Sequence, residues 1–340
     1  MKSVLITGGA GFIGSNFIEY FLEKNQDVRV VNLDKLTYAG DLNNLKSVEK
    51  NPRYHFICGD IGNSELVAYI LREFEISGVI NFAAESHVDN SIKNPDTFIQ
   101  TNINGTFNLI NEAYRFWFDA PFKLKKHFKN INPRFHHIST DEVYGSLGDE
   151  GKFTETTPYA PNSPYSASKA SSDMLVRSFR HTYGVNTIIT NCSNNYGPKQ
   201  HSEKLIPTII RKALALEKIP IYGDGKNIRD WLYVTDHCEA IDLAFWQGRA
   251  GENYNIGGDS EKNNLEVASK VCEVLDTKKP RSDGKSYKEL IGFVKDRAGH
   301  DRRYAIDATK IKNELGWSPK ESFESGIEKT INWYLEKFAL

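Results

Sequence analysis

Through its first 190 residues the chain alternates short apolar, β-branched runs with amphipathic stretches. The runs occupy 4–7, 28–33, 55–58, 79–82, 135–139 and 187–191, and their spacing predicts βαβ units around a parallel sheet. Between the first two, Ile13, Phe17, Tyr20 and Phe21 recur at helical spacing, a stripe that faces a core. Longer helices are predicted over 95–117 and 164–183. After Asn191 the pattern breaks into NCSNNYGPKQHSEKLIP, an Asn-, Gly- and Pro-rich loop. Further α/β material follows, with helices expected over 206–217, 236–247, 264–275 and 322–338. Neither an internal repeat nor a low-complexity tract interrupts it.

With 340 residues the chain is long enough for one large elaborated α/β domain or for two. A net charge of -1, with 26% charged and 39% hydrophobic residues, disfavours disorder and a polybasic nucleic-acid binder. The basic run 123–129 is expected to be solvated surface. Four cysteines, Cys58, Cys192, Cys238 and Cys272, show no zinc-ligand spacing, so no metal is expected and a reducing compartment fits. Glycines interrupt the apolar start, and no apolar stretch reaches the ~18 residues of a membrane span. The expectation is a cytoplasmic protein with no membrane partner.

Chemistry enters at VLITGGAGFIGSNF. Gly8, Gly11 and Gly14 fall where a strand turns into a helix, and bare backbone there lets N–H groups and the helix N-terminus meet a pyrophosphate. The spacing is GxxGxxG, and Asp34 follows twenty residues after Gly14 at the end of the second strand. A carboxylate there accepts from an adenine-ribose diol and repels a 2'-phosphate, so NAD is expected over NADP. Tyr165 and Lys169 form YxxxK, which on a helix puts phenol and ammonium on one face, where the cation is expected to lower the phenol's pKa. That spacing occurs three times, at Tyr20/Lys24, Tyr165/Lys169 and Tyr222/Lys226. Only Tyr165 begins a helix beyond the fifth strand, at the sheet's carboxyl edge. The fifth strand ends in HHISTDEVYG and delivers Thr140, Asp141 and Glu142 to the same edge. An acidic turn alone is ordinarily structural; beside a tyrosine base and a cofactor turn it supplies a hydroxyl, an acid and a base.

These segments, with DKLTYAG, GDI, NFAAESHVD, TNINGT, SPYSASKASSD, EKLIP, IYGDGKNIRDWLYV, NIGG and DRAGHDRRYAID, resemble the extended short-chain dehydrogenase/reductases over nearly the whole chain, and among them the nucleotide-sugar dehydratases. The resemblance implies a Rossmann-type doubly wound parallel sheet with a smaller interleaved C-terminal substrate-binding lobe: 1–191 plus about 230–258 for NAD, about 192–229 plus 259–340 for the nucleotide sugar. It implies an NAD-dependent lyase that converts dTDP-glucose to dTDP-4-keto-6-deoxyglucose and water in deoxysugar nucleotide biosynthesis, as a homodimer. STDEVYG is the specific segment, since relatives acting on GDP-mannose or CDP-glucose and the 4-epimerases differ there. Thr140, Asp141, Glu142, Tyr165 and Lys169 would be catalytic. Besides the glycines, Phe12, Ile13, Asp34, Lys35, Leu36, Thr37, Asp60, Ile61, Ala83, Ala84, Glu85, Ser86, His87, Thr101, Tyr165, Lys169 and Asn195 would hold NAD. Ser86, Thr140, Asn194, Lys204 and Arg229 would meet sugar and pyrophosphate. Leu205, Pro220, Ile221, Tyr222, Asn264, Asp296, Arg297, Ala298, Gly299 and His300 would meet the nucleotide end. Three departures stand out: His201 and Ser202 where the family has an aromatic and a proline, Asn90 where it often has Arg, and a short loop after DEVYG. Two alternatives stay open, a nucleotide-sugar 4-epimerase or GDP-mannose-type dehydratase, and an NAD-sensing binding protein without turnover.

Overall fold

The computed structural model describes residues 2–296 and 299–337. Seven strands make one parallel sheet: β1 Lys2–Thr7, β2 Val28–Asp34, β3 Tyr54–Cys58, β4 Ile76–Asn81, β5 Arg134–Thr140, β6 Asn186–Cys192 and β7 Asn253–Ile256. Their spatial order is 3-2-1-4-5-6-7, every neighbouring pair parallel. The order reverses between β1 and β4, so the crevice beyond their carboxyl ends is where a ligand of such a sheet lies. The six apolar runs read from the sequence fall in β1 to β6, except that Phe82 lies one residue beyond the end of β4. Strand β7 escaped because NYNI is short and half polar.

Central strands of a parallel sheet are covered on both faces, and all seven residues of β6 are buried. Its polar members are matched across the sheet: Arg134 Nε donates to Asn186 Oδ1 at 3.1 Å, His136 Nε2 meets Thr190 Oγ1 at 3.0 Å, and Asn191 Nδ2 donates to the Thr140 carbonyl at 3.2 Å. One face packs Phe17, Phe21, Ile241 and Phe245, and the other Leu109, Trp117, Val176 and Phe179.

The helix Pro164–Tyr183 starts and stops where the sequence predicts. Ser163 and Ser166 cap each other's backbone N–H, Pro164 takes the first position, and Gly184 ends it at φ 80°. The predicted helix 95–117 is instead interrupted. Pro95–Phe98 leads into a wider π-helical turn, Ile99–Gly105, before Thr106–Trp117. Tertiary bonds outweigh helix propensity there: Asn102 Oδ1 accepts from the Glu85 N–H at 2.8 Å, and its Nδ2 donates to the Glu85 carbonyl at 3.0 Å and to Ser168 Oγ at 2.8 Å.

A smaller lobe holds a three-stranded sheet, Asn194–Tyr196, Ile228–Tyr233 and Glu261–Asn263, and a parallel pair, Ile219–Tyr222 with Ile291–Val294. Helices Leu205–Leu214, Asn264–Lys278 and Phe323–Lys337 share its core with Tyr196, Trp231 and Tyr233. The first of these stops short of the predicted 217 because Leu216 turns to φ 55°. The chain interleaves the lobes finely, since Ile311 and Trp317 return to the large sheet's core. Among the described residues no helix is long and apolar enough to cross a membrane, and no His/Cys/Asp/Glu group forms a metal-binding cluster.

Candidate active site

At the switch point opens a cavity of about 310 Å³. Its floor is the glycine turn. Gly8 sits at φ 69°, and a side chain there would come within 2.7 Å of the Ala83 backbone; one on Gly14 would strike the Gly8 carbonyl at 2.4 Å. Gly11 differs, with only the Gly8 carbonyl near its missing Cβ, and it caps the helix Phe12–Lys24 with no side chain of its own. That opening at a helix N-terminus fits a pyrophosphate. Asp34 is buried and fixed, its Oδ2 accepting from Ala10 N–H and its Oδ1 from Leu36 N–H, both at 2.8 Å. Lys35 and Asp60 pair at 2.7 Å on the same wall.

Opposite stands the end of β5. Thr140 caps the turn Asp141–Tyr144, its Oγ1 accepting from the Glu142 N–H at 3.3 Å, and its hydroxyl is also hydrogen-bonded to Tyr165. The two neighbouring carboxyls part company here: Asp141 is 1% exposed and Glu142 only half-buried. Burial first, then the charges of Glu142 and Asp230, push the Asp141 carboxyl well above the ordinary range, against the opposing pull of Arg229. Its Oδ2 has no protein partner. A carboxyl whose pKa burial raises in this way is suited to carry a proton and deliver it.

Tyr165 lies against Phe98, ring centroids 6.3 Å apart and edge-on. Burial and then Glu142 push its phenol well above the ordinary value, the opposite of the lowering expected from Lys169. Lys169 is itself 3% exposed, and burial lowers its ammonium to about 8. A cationic cofactor ring held in this cavity would supply positive charge that favours the phenolate.

Of the residues predicted to bind, Gly8, Gly11, Phe12, Ile13, Gly14, Asp34, Lys35, Thr37, Asp60, Ile61, Ala83, Ala84, Glu85, Ser86, Thr101, Thr140, Asp141, Glu142, Tyr165, Lys169, Asn194, Asn195 and Lys204 line this one cavity. Leu36, His87 and Leu205 stand outside its lining. The nucleotide-end set also lies outside it: Pro220, Ile221 and Tyr222 form a strand of the smaller lobe followed by Gly223, which lies against Asp296, itself 2.6 Å from His300 Nδ1; Asn264 opens a helix of that lobe, and Gly299 approaches the Asn162 carbonyl. Arg229, expected to meet sugar and pyrophosphate, also stands outside the lining; it is 5% exposed, lies over the Tyr304 ring at 4.2 Å and acts electrostatically on Asp141. Arg297 and Ala298 lie outside the described residues. The other YxxxK pairs face away, Lys24 resting over its own Tyr20 ring and Tyr222 ending an edge strand.

Sequence reasoning missed Ser139, Cys192, Ser193, Gln200 and Glu203, all in the lining. His201, read only as a departure, lines it too and meets Tyr38 edge-on at 5.6 Å. Lys204 Nζ donates to the Ser86 carbonyl at 3.0 Å and Gln200 Nε2 to the Asn195 carbonyl at 2.8 Å, tying this loop to both walls. The loop's proximity follows from topology, and no local pattern announces it.

A family profile described as GDP-mannose 4,6 dehydratase matches residues 5–330. A dTDP-glucose 4,6-dehydratase of Xanthomonas campestris pv. campestris is 57% identical over 335 residues, covering 98% of this chain and 93% of the relative. Two solved dTDP-glucose 4,6-dehydratases are similar in structure. That of Streptomyces venezuelae, with NAD bound, has a TM-score of 0.88 at 43% identity and covers 99% of this chain and 98% of its own. That of Bacillus anthracis, in complex with NAD, has a TM-score of 0.84 at 46% identity and covers 99% and 97%. Glycine turn, acidic turn and tyrosine–lysine helix meet at one cavity in a chain of that likeness, which belongs to the dTDP-glucose 4,6-dehydratase family.

Proposed function

We propose that this protein is an NAD-dependent lyase converting dTDP-glucose to dTDP-4-keto-6-deoxyglucose and water. The observation that carries the reading is the pairing at one cavity of a deeply buried Asp141 with a less buried Glu142, opposite Tyr165 and the glycine turn. Gly11, the helix N-terminus and Asp34 would hold NAD, which when bound supplies a reversible acceptor that lets oxidation at carbon 4 precede elimination and reduction at carbon 6 follow it. Tyr165, with Thr140 and Lys169, takes the 4-hydroxyl proton. The resulting carbon-4 ketone acidifies the carbon-5 hydrogen, which Glu142 removes, and Asp141 protonates the departing 6-hydroxyl. Glu142 then returns its proton to carbon 5. Because oxidation and reduction cancel, the cofactor need not leave.

The expected assembly is a homodimer in the cytoplasm. Phe107 on the helix Thr106–Trp117 is 45% exposed and Met174 on the helix Pro164–Tyr183 is 53% exposed, on adjacent helices that could pair with a second copy's. The deciding experiment offers the enzyme a panel of dTDP-, UDP-, GDP- and CDP-glucose or -mannose substrates and identifies products by mass and NMR. A 4-keto-6-deoxy product from dTDP-glucose is expected; an epimer, or no turnover of any substrate, overturns the reading.

A further inference from the structure

Behind Lys169 lies a buried network that the chemistry above leaves unused. Asp173, one helical turn further on, is 2% exposed. Its Oδ2 accepts from Ser139 Oγ at 2.7 Å, the Tyr159 hydroxyl at 3.0 Å and Asn191 Nδ2 at 3.4 Å, while Oδ1 faces His137 Nε2 at 3.4 Å. The imidazole's tautomer follows from its other neighbours. Thr7 Oγ1 donates to Asn81 Oδ1 at 2.6 Å, which directs the Asn81 amide N–H groups to Thr106 Oγ1 at 3.2 Å and to His137 Nδ1 at 3.1 Å. His137 Nδ1 is therefore an acceptor, and the neutral ring carries its hydrogen on Nε2, toward Asp173. Burial, then Lys169, hold that ring well below its ordinary pKa and so neutral. The same Nε2 stands 3.4 Å from Lys169 Nζ, which donates to the Ile138 carbonyl at 2.7 Å.

We propose that Asp173 is a positioning residue for the reaction: its carboxylate, fixed by donors from two strands and a loop, is the counter-charge that keeps the buried Lys169 ammonium protonated at the cavity, with neutral His137 as the spacer between them. The meaning of that charge for catalysis rests on the function proposed above. A buried ion pair is weak support for stability, because desolvation offsets the attraction, so three donors spent on fixing one carboxylate point to the site it faces. The groups around Lys169 decide the sign. His137 faces it from β5, Cys192 from β6 and Asp173 from its own helix; Ser139, Asn191, Tyr144 and Tyr159 surround Asp173, and Asp141 and Glu142 border Cys192 and Tyr165. His137 is neutral, and burial pushes the Cys192 thiol far up, so neither supplies a charge. Asp173 is the leading influence favouring the ammonium against its burial. Without it Lys169 loses its proton at lower pH, and Tyr165 loses the cation on its helix.

The test is carbon-13 NMR of the whole protein labelled at the lysine ε-carbons, with Lys169→Met assigning the resonance. In the native protein Lys169 should titrate near pH 8 and show a second inflection near pH 6, where burial places Asp173. In Asp173→Asn the lower inflection should vanish and the upper one move acidward by about one unit or more. The alkaline limb of turnover should shift with it, a loss of about 5-fold near pH 8 that approaches 10-fold by about pH 9, with little change near pH 6.5, and Asp173→Glu should restore part of the shift. A purely structural role would lower turnover equally at both pH values and leave the Lys169 midpoint in place, which overturns the proposal. If Asp173→Asn does not fold by circular dichroism, the native titration decides, and a single inflection overturns it. Should the shifts appear while dTDP-glucose is not turned over, the charge coupling stands and the proposed function falls.

Discussion

Asp141→Asn is expected to make the protein more stable and nearly inactive at once. The native carboxyl is 1% exposed, has one oxygen without a protein partner, and is pushed upward by burial and by Glu142. In the unfolded chain it titrates near the ordinary value, so between that value and its raised folded value the folded state holds a proton that the unfolded state has released. Stability is therefore full below the unfolded pKa and declines as pH rises toward the folded one, by about 1.4 kcal/mol per pH unit while the window lasts. An amide of the same shape does not titrate. The variant should match the native protein near pH 4 and exceed it at pH 8, each kcal/mol gained appearing as ~1–3 °C in Tm for a chain of this size. The same change removes the proton destined for the 6-hydroxyl, and a general acid contributes about 100- to 10,000-fold. Calorimetric melts at the two pH values, beside product formation from dTDP-glucose, make the assay. A variant that melts lower than native at pH 8, or that still dehydrates within ~10-fold of native, would show that Asp141 is neither protonated nor the acid.

Glu142→Gln should stop the cycle after oxidation, so that mixing with dTDP-glucose raises the near-ultraviolet absorbance of reduced cofactor and slows carbon-5 hydrogen exchange, whereas Tyr165→Phe should raise none; the general base is worth about 100- to 10,000-fold in each case. Protein purified and then denatured should release NAD rather than NADP on chromatography, and Asp34→Ala should weaken that preference while costing about 1–3 kcal/mol for each of the Ala10 and Leu36 N–H groups left unpaired, read by urea denaturation. Gly8→Ala places a side chain 2.7 Å from the Ala83 backbone at φ 69° and should abolish cofactor retention and lower the denaturation midpoint. Phe107→Glu with Met174→Lys should shift light scattering from dimer to monomer; an unchanged mass would move the interface elsewhere.

What the sequence disclosed was what depends on neighbours along the chain. Strands β1 to β6 show because every residue of a doubly covered strand is apolar or can be matched across it, and the helix Pro164–Tyr183 shows because its capping serine, proline and terminal glycine are all local. Gly8, Gly11, Gly14 and Asp34 were legible for the same reason: a turn and a strand end have fixed offsets. The interrupted helix was not, since what widens the turn at Ile99–Gly105 is Asn102 bonding to Glu85 and Ser168, partners 17 and 66 residues away. Nor was the lining by Gln200 and Glu203, carried in by the smaller lobe.

The acidic turn shows where such reading stops. Asp141 and Glu142 are adjacent and chemically almost equal, so residue type does not tell them apart, and in the sequence their roles as acid and base rest on the family resemblance alone. The fold buries one and half-exposes the other, with Asp230 and Arg229 arriving from a strand of the smaller lobe to bear on Asp141. Asp173 is the same case seen from the helix. Its offset of four from Lys169 is plain in the sequence and common on any helix surface. It acquires meaning from His137, Ser139 and Asn191, which β5 and β6 bring against that helix. Residue types therefore give the inventory of the chemistry, and the packing of distant strands decides which group holds a proton and which takes one.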